Sequence, residues 1–189
     1  ILTALNIVKG KYPNSSILIP DQGSWITYFQ YAKKLKFNIK KLKTDYGVID
    51  FNILKENAKD ISAIIYSNPA GYYAEQPIRE IYEICKKNSI MVILDISCCI
   101  GSGFYNGNFA DIIVCSFGKW KPINLGYGGF ISIKEDNILK NNKDYSEKLK
   151  FKKEYHIKLY EKLVNLKNRY QFFERINKKS QSIINETNQ

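Results

Sequence analysis

The chain has 189 residues, of which 44% are hydrophobic and 14% aromatic, enough to build one domain with a sizeable core and too apolar for a disordered segment. No apolar run approaches the ~20 residues of a membrane span, and no secretory signal pattern precedes the first apolar stretch. The net charge of +11 comes almost wholly from lysine, with arginine only at 79, 169 and 175, which argues against specific nucleic-acid readout while leaving non-specific attraction to polyanions open.

In chain order, residues 1–10 read as the end of a helix closed by Gly10, and 16–20 as a strand running into the loop Asp21-Gln-Gly-Ser24. Residues 25–36 fit a helix with Trp25, Phe29, Ala32 and Leu35 near one face. A strand follows at 37–43, then a turn at Asp45-Tyr-Gly47, then a helix over 51–58 capped by Asp50. The strand Ala63–Ser67 ends at Asn68-Pro-Ala-Gly71, and Pro77 opens a helix to about Asn88 with Ile78, Ile81, Ile84 and Cys85 turned inward. Strands at 90–95, 111–115 and 128–133 complete the series. Short apolar strands alternating with helices predict an α/β fold, a mainly parallel sheet with helices on both faces, and the short turn region before the last strand predicts that this one runs antiparallel.

From Lys134 to Gln189 there is neither Gly nor Pro, and Leu159, Leu163, Leu166, Tyr170 and Phe173 form one apolar helical stripe. The division expected is a sheet domain over 1–133 and a helical extension with a long C-terminal helix over 134–189. The four cysteines, Cys85, Cys98, Cys99 and Cys115, lack a CxxC pair, and with His156 as the single histidine no zinc site is expected. Reduced, mostly buried thiols in a cytoplasmic protein are the simpler reading.

Two segments carry chemistry. Asp95 ends the apolar run 90–94, and Ser116-Phe-Gly-Lys-Trp-Lys121 follows the run 111–115. Ligands of open α/β sheets bind beyond the carboxyl ends of the strands, so Asn68, Asp95 and Ser116 are expected in one crevice, with Trp25 at the same edge. A carboxylate and a lysine on neighbouring strand ends are what pyridoxal phosphate requires, one for the ring nitrogen and one for the aldehyde. Asp95 could instead simply cap a turn, Lys121 could be a solvated surface lysine, Trp25 could be a core aromatic, and Asn68 could be an ordinary residue before proline.

The order Asp95-x-Ser97, Gly101, Tyr105-x-Gly107, Asp111, Ser116-Phe-x-x-x-Lys121 and Gly126-x-Gly128-Gly129 resembles the fold type I pyridoxal phosphate enzymes, the aspartate aminotransferase superfamily. Within it the pattern is most similar to the DegT/DnrJ/EryC1/StrS aminotransferases, over roughly residues 1–133. The resemblance implies transfer of an amino group through a lysine aldimine, between an amino donor and a keto acid or keto-sugar, in a homodimer. It implies Lys121 as the aldimine lysine, Asp95 on the pyridinium nitrogen, Ser116 on the phosphate, Trp25 stacked on the ring and Asn68 near the phenolic oxygen. Lys119 competes with Lys121, because other branches place the lysine three residues after the serine; the offset to the downstream glycines favours Lys121.

The pattern also departs from the family. Cys98 stands where Gln, His or Tyr is usual, and Tyr127 where an acidic residue is usual. The resemblance puts the phosphate-cradling Gly-Thr/Ser turn just before Ile1 and a small domain after the C-terminus, so the chain reads as truncated at both ends. Two other readings stay open: another pyridoxal chemistry, a lyase or cysteine-desulfurase-like transfer using Cys98 or Cys99, and a non-catalytic or RNA-associated domain that keeps the fold.

Overall fold

The computed structural model describes residues 1–71, 74–140 and 149–187. Helix α1 (Leu2–Lys11) leads into β1 (Ser16–Pro20), α2 (Ile26–Lys34) and β2 (Asn38–Leu42). A short ribbon of β3 (Thr44–Asp45) and β4 (Val48–Ile49) precedes α3 (Phe51–Glu56) and β5 (Ile61–Ser67). Then come α4 (Ile78–Lys87), β6 (Met91–Asp95), β7 (Ile112–Ser116), β8 (Gly129–Ile133) and α5 (Asp136–Lys140). Two helices close the chain, α6 (His156–Val164) and α7 (Leu166–Thr187).

Six strands form one sheet in the order β2-β1-β5-β6-β7-β8. All neighbours pair in parallel except β7 and β8, which are antiparallel as expected from the short connection between them. The pleat divides the strand side chains between two cores. Ile17, Ile19, Ala63, Ile65, Met91 and Ile93 pack with α1 and α2 residues on one face. Leu18, Ile64, Tyr66, Val92 and Leu94 pack with Leu54 of α3 and with Ile81 and Cys85 of α4 on the other. Burial on both faces is why these strands read as continuous apolar runs. Asp50 accepts from the Asn52 and Ile53 amides and starts α3 as predicted.

Several local expectations are corrected. Gly10 lies inside α1, which runs one residue further to Lys11, so it does not stop the helix. The buried face of α2 is Tyr28 and Ala32 rather than one led by Trp25: Trp25 is the N-cap, outside the helical period, and is 59% exposed. The turn expected at Asp45-Tyr-Gly47 is present, as the tip of a short ribbon, with positive φ at Tyr46 and Gly47, the geometry of a tight hairpin turn. The C-terminal stripe splits at Asn165, the C-cap of α6. Leu159 packs on the second core and Leu166 is buried, whereas Leu163 and Phe173 are 45% exposed. Leu166 packs against the turn after β6 because Gly101 leaves it room; a Cβ there would collide with the leucine side chain. The Tyr170 hydroxyl donates to the Ile100 carbonyl at 3.0 Å. Among the described residues no helix is long and apolar enough to cross a membrane, and no group of three or more His, Cys, Asp or Glu side chains could hold a metal ion.

Candidate cofactor site

The carboxyl ends of β5, β6 and β7 deliver Ser67, Asp95 and Ser116 to one cleft of ≈ 1370 Å³. The first residues of α1, the loop before α2 and the β7–β8 loop form its other walls. Ordinary small-molecule pockets hold ~300–1,000 Å³, so this space admits a cofactor and a substrate together.

Asp95 is 8% exposed, and both of its oxygens are held. Oδ1 accepts from the Ser97 amide at 2.9 Å and Oδ2 from the Tyr28 hydroxyl at 2.6 Å. An anionic carboxylate has about four acceptor sites, so these two donors still leave capacity toward the cleft. The Ser97 hydroxyl accepts from the Ser116 amide at 2.8 Å and so ties the end of β7 to the turn after Asp95. Ser116 is exposed, and its own hydroxyl accepts from the Gly118 amide at 3.2 Å.

The loop from Phe117 to Gly128 carries both lysines. Its base is closed by the Phe117 amide on the Gly128 carbonyl, and the Phe117 carbonyl accepts from the amides of Leu125 and Gly126. The glycines are explained by this closure: Gly126 and Gly128 have φ of +77° and +80°, and a Cβ on Gly129 would run into the Cys115 carbonyl across the β7–β8 pair. Lys121 turns into the cleft, its Nζ 3.3 Å from the exposed Cys98 thiol and 5.4 Å from the centre of the Trp25 ring. Lys119 also borders the cleft, but its Nζ lies over Trp120, which is 87% exposed, at 4.9 Å.

Asn68 is buried and belongs to the wall's framework. Its Oδ1 accepts from the Gln76 amide at 2.8 Å, its side-chain nitrogen donates to the Phe104 carbonyl, and its amide donates to the Asp95 carbonyl at 3.1 Å. It is not among the residues that line the cleft. Asp111, quoted in the sequence pattern, sits at the other end of β7, where Oδ2 accepts from the Val92 amide and Oδ1 pairs with Lys86. Burial pushes the Cys85, Cys99 and Cys115 thiols up to about 12, which leaves them inert near neutrality.

The model of the DegT/DnrJ/EryC1/StrS aminotransferase family matches residues 41–162, well over half of the chain, and the match includes Asp95, Ser116 and Lys121. The chain belongs to that family. No curated protein matches it. Among solved structures, it is similar to a PLP-bound putative aminotransferase from Clostridium difficile 630 (TM-score 0.71, 14% identity, 96% of this chain and 52% of that one). It is also similar to the PLP-bound C-S lyase of Staphylococcus hominis (0.68, 18%, 98% and 53%) and to cystalysin from Treponema denticola (0.67, 16%, 92% and 50%). The chain thus spans about half the length of the solved structures it matches, and at these identities the likeness is one of fold.

Measured against what the sequence predicted for this family member, Asp95, Ser116, Lys121 and Trp25 all line one cleft, and Asn68 stands behind it. Sequence reasoning missed Tyr28 and Ser24. Tyr28 reads only as one aromatic among several in an amphipathic helix. Ser24 borders the cleft with its hydroxyl buried, and that hydroxyl has no partner among the described residues.

Proposed function

We propose that this chain binds pyridoxal 5′-phosphate in the cleft and serves amino-group transfer between an amino donor and a keto acid or keto-sugar. The observation that carries the reading is that a buried, doubly held carboxylate and a loop lysine open onto the same cleft. The residues present fit the cofactor's chemical requirements. Asp95 offers an anion for a ring N–H, Lys121 an amine for an aldehyde, and Trp25 an exposed flat face beside that amine. For a phosphate there are the Ser116 hydroxyl, the unpartnered Ser24 hydroxyl and the N-terminal turn of α1, where Leu2 and Thr3 border the cleft.

When bound, the cofactor supplies an aldehyde and an electron-withdrawing ring. The chain's residues do the rest. Asp95 would hold a proton on the ring nitrogen by charge and hydrogen bonding in a largely dry setting. The Lys121 amine would hold the cofactor through its aldehyde and would be the base that takes a proton from the substrate carbon and returns it. Trp25 would offer its exposed ring as a flat face for the cofactor. Ser97 and Asn68 act one step back: the first joins the two strand ends that carry Asp95 and Ser116, and the second braces the β5 loop against β6.

A sulfur-transfer reading has one specific support, the exposed Cys98 thiol 3.3 Å from Lys121; buried Cys99 does not serve it. One experiment tests both. The protein is loaded with pyridoxal phosphate, reduced with borohydride and digested. Label on Lys121 with amino-acid product from a keto substrate supports amino transfer; label on Lys119 moves the reacting lysine. Sulfide release from cysteine that is abolished in Cys98→Ser favours sulfur transfer, and absence of label rejects the cofactor reading.

A further inference from the structure

Trp25 caps α2, and Tyr28 follows three residues later in the first turn of the helix. Trp25 stands exposed in the cleft, while Tyr28 is fully buried among α1 and sheet residues. From that buried position its hydroxyl reaches across 67 residues of sequence to Asp95 Oδ2. A buried phenol needs a partner, and any acceptor would satisfy that need. What distinguishes this bond is its acceptor, the carboxylate proposed to face the cofactor ring nitrogen. With the Ser97 amide on Oδ1 and the phenol on Oδ2, the carboxylate can neither rotate nor concentrate its charge on one oxygen.

We propose that Tyr28 is a positioning residue for Asp95, its hydroxyl fixing the carboxylate plane and drawing charge from Oδ2, so that the proton shared between Asp95 and the ring nitrogen stays on the ring. The proposal rests on the cofactor reading above. A phenol that donates to a carboxylate makes that carboxylate a weaker base toward its second partner. Removal of the donor lets the proton move from the ring toward the carboxylate, and the ring draws electrons less strongly. The same buried surroundings favour the protonated phenol: burial, the Asp95 charge and the bond to it all raise the Tyr28 hydroxyl well above its usual range, so it remains a donor across the working pH.

The test uses pyridoxal phosphate labelled with 15N at the ring nitrogen and bound to the wild-type chain, to Tyr28→Phe and to Tyr66→Phe. Tyr66 is an equally buried tyrosine outside the cleft lining, with no hydrogen-bond partner on its hydroxyl among the described residues, so Tyr66→Phe controls for loss of a buried hydroxyl alone. The expected result is a pyridinium-like 15N resonance in wild type and in Tyr66→Phe, and a shift toward the neutral-pyridine range in Tyr28→Phe. An unchanged resonance in Tyr28→Phe overturns the proposal and leaves the cofactor reading intact. A wild-type chain that binds the cofactor with a neutral ring removes Asp95 from its role, and one that binds none rejects the cofactor reading; each sinks the proposal at a different step. Should Tyr28→Phe fail to fold, 4-aminophenylalanine at position 28 keeps the shape with a weaker donor. An intermediate resonance then supports the proposal and an unchanged one overturns it.

Discussion

Asp95 is the last residue of β6 and one of few charged side chains in the interior, and each of its oxygens already holds a donor from the chain itself. Replacing it with asparagine keeps the shape and keeps one oxygen for Tyr28 or Ser97, so the fold should survive. On the proposed reading, what is lost is the charge opposite a ring N–H. A hydrogen bond to a charged group contributes ~1.5–3 kcal/mol, so Asp95→Asn should bind pyridoxal phosphate about 10- to 150-fold more weakly, read from a spectrophotometric titration at neutral pH. An affinity within twofold of wild type would remove Asp95 from the site. Asp95 and Lys121 were legible in the sequence because each follows an apolar strand and the chemistry of the pair is specific. Tyr28 was not, since its meaning comes from a contact 67 residues away that no local pattern encodes. Asn68 was legible as a polar residue at a strand end, yet the same position suits a side chain that spends one amide atom on Gln76 of its own loop and the other on Phe104 of the loop after β6.

The connection between β7 and β8 is the element that aims Lys121, and Gly126 and Gly129 at its downstream end answer different needs. At Gly126 the space around a Cβ is open, so Gly126→Ala meets only the cost of a left-handed backbone, ~1–2 kcal/mol. At Gly129 the obstacle is the Cys115 carbonyl, within the pair that also sets Ser116 opposite Gly129. Gly129→Ala must therefore push β8 off β7 and move the base of the lysine loop, at ~1–3 kcal/mol for forced overpacking. A thermal melt should drop by ~2–4 °C per kcal/mol lost, and cofactor affinity should fall in Gly129→Ala more than in Gly126→Ala. Equal loss of affinity in both would mean that strand pairing does not position the lysine. At this scale the sequence was most readable where one period runs unbroken, as in β5, β6 and α4. It was least readable where an element begins: Trp25 looked like the first position of an inward face because the cap residue cannot be told from the helix by spacing alone, and the β3–β4 ribbon was too short to register beyond its turn.

Across the whole molecule the ionisable groups that burial holds in their neutral form define how the fold responds to alkali. Cys85, Cys99 and Cys115 are raised from 9.0 to about 12 chiefly by burial, and the Tyr28 and Tyr66 hydroxyls are raised from 10.0 by the same cause. Each of these groups keeps its proton in the folded chain at pH values where the unfolded chain has released it. The folded state then binds more protons than the unfolded one, so stability must fall as pH rises. Their contribution is complete below about pH 9, declines from there, and is gone once the folded groups themselves ionise near 12 and above. Lys86 acts in the same sense at the upper end of that range. Burial opposes its charge, but the bond and attraction to Asp111 outweigh burial, and the raised ammonium contributes stability that disappears as it deprotonates. Urea midpoints measured by circular dichroism should thus be flat from pH 7 to 8.5 and fall steadily between 9 and 12. A thiol reagent provides the independent check. At pH 8 in native buffer only the exposed Cys98 of the four cysteines should react quickly, and the other three should react in step with the loss of helical signal as pH or urea increases. A flat midpoint up to pH 11, or fast reaction of a second thiol in the native chain, would mean that the sheet does not bury these groups as tightly as its packing requires.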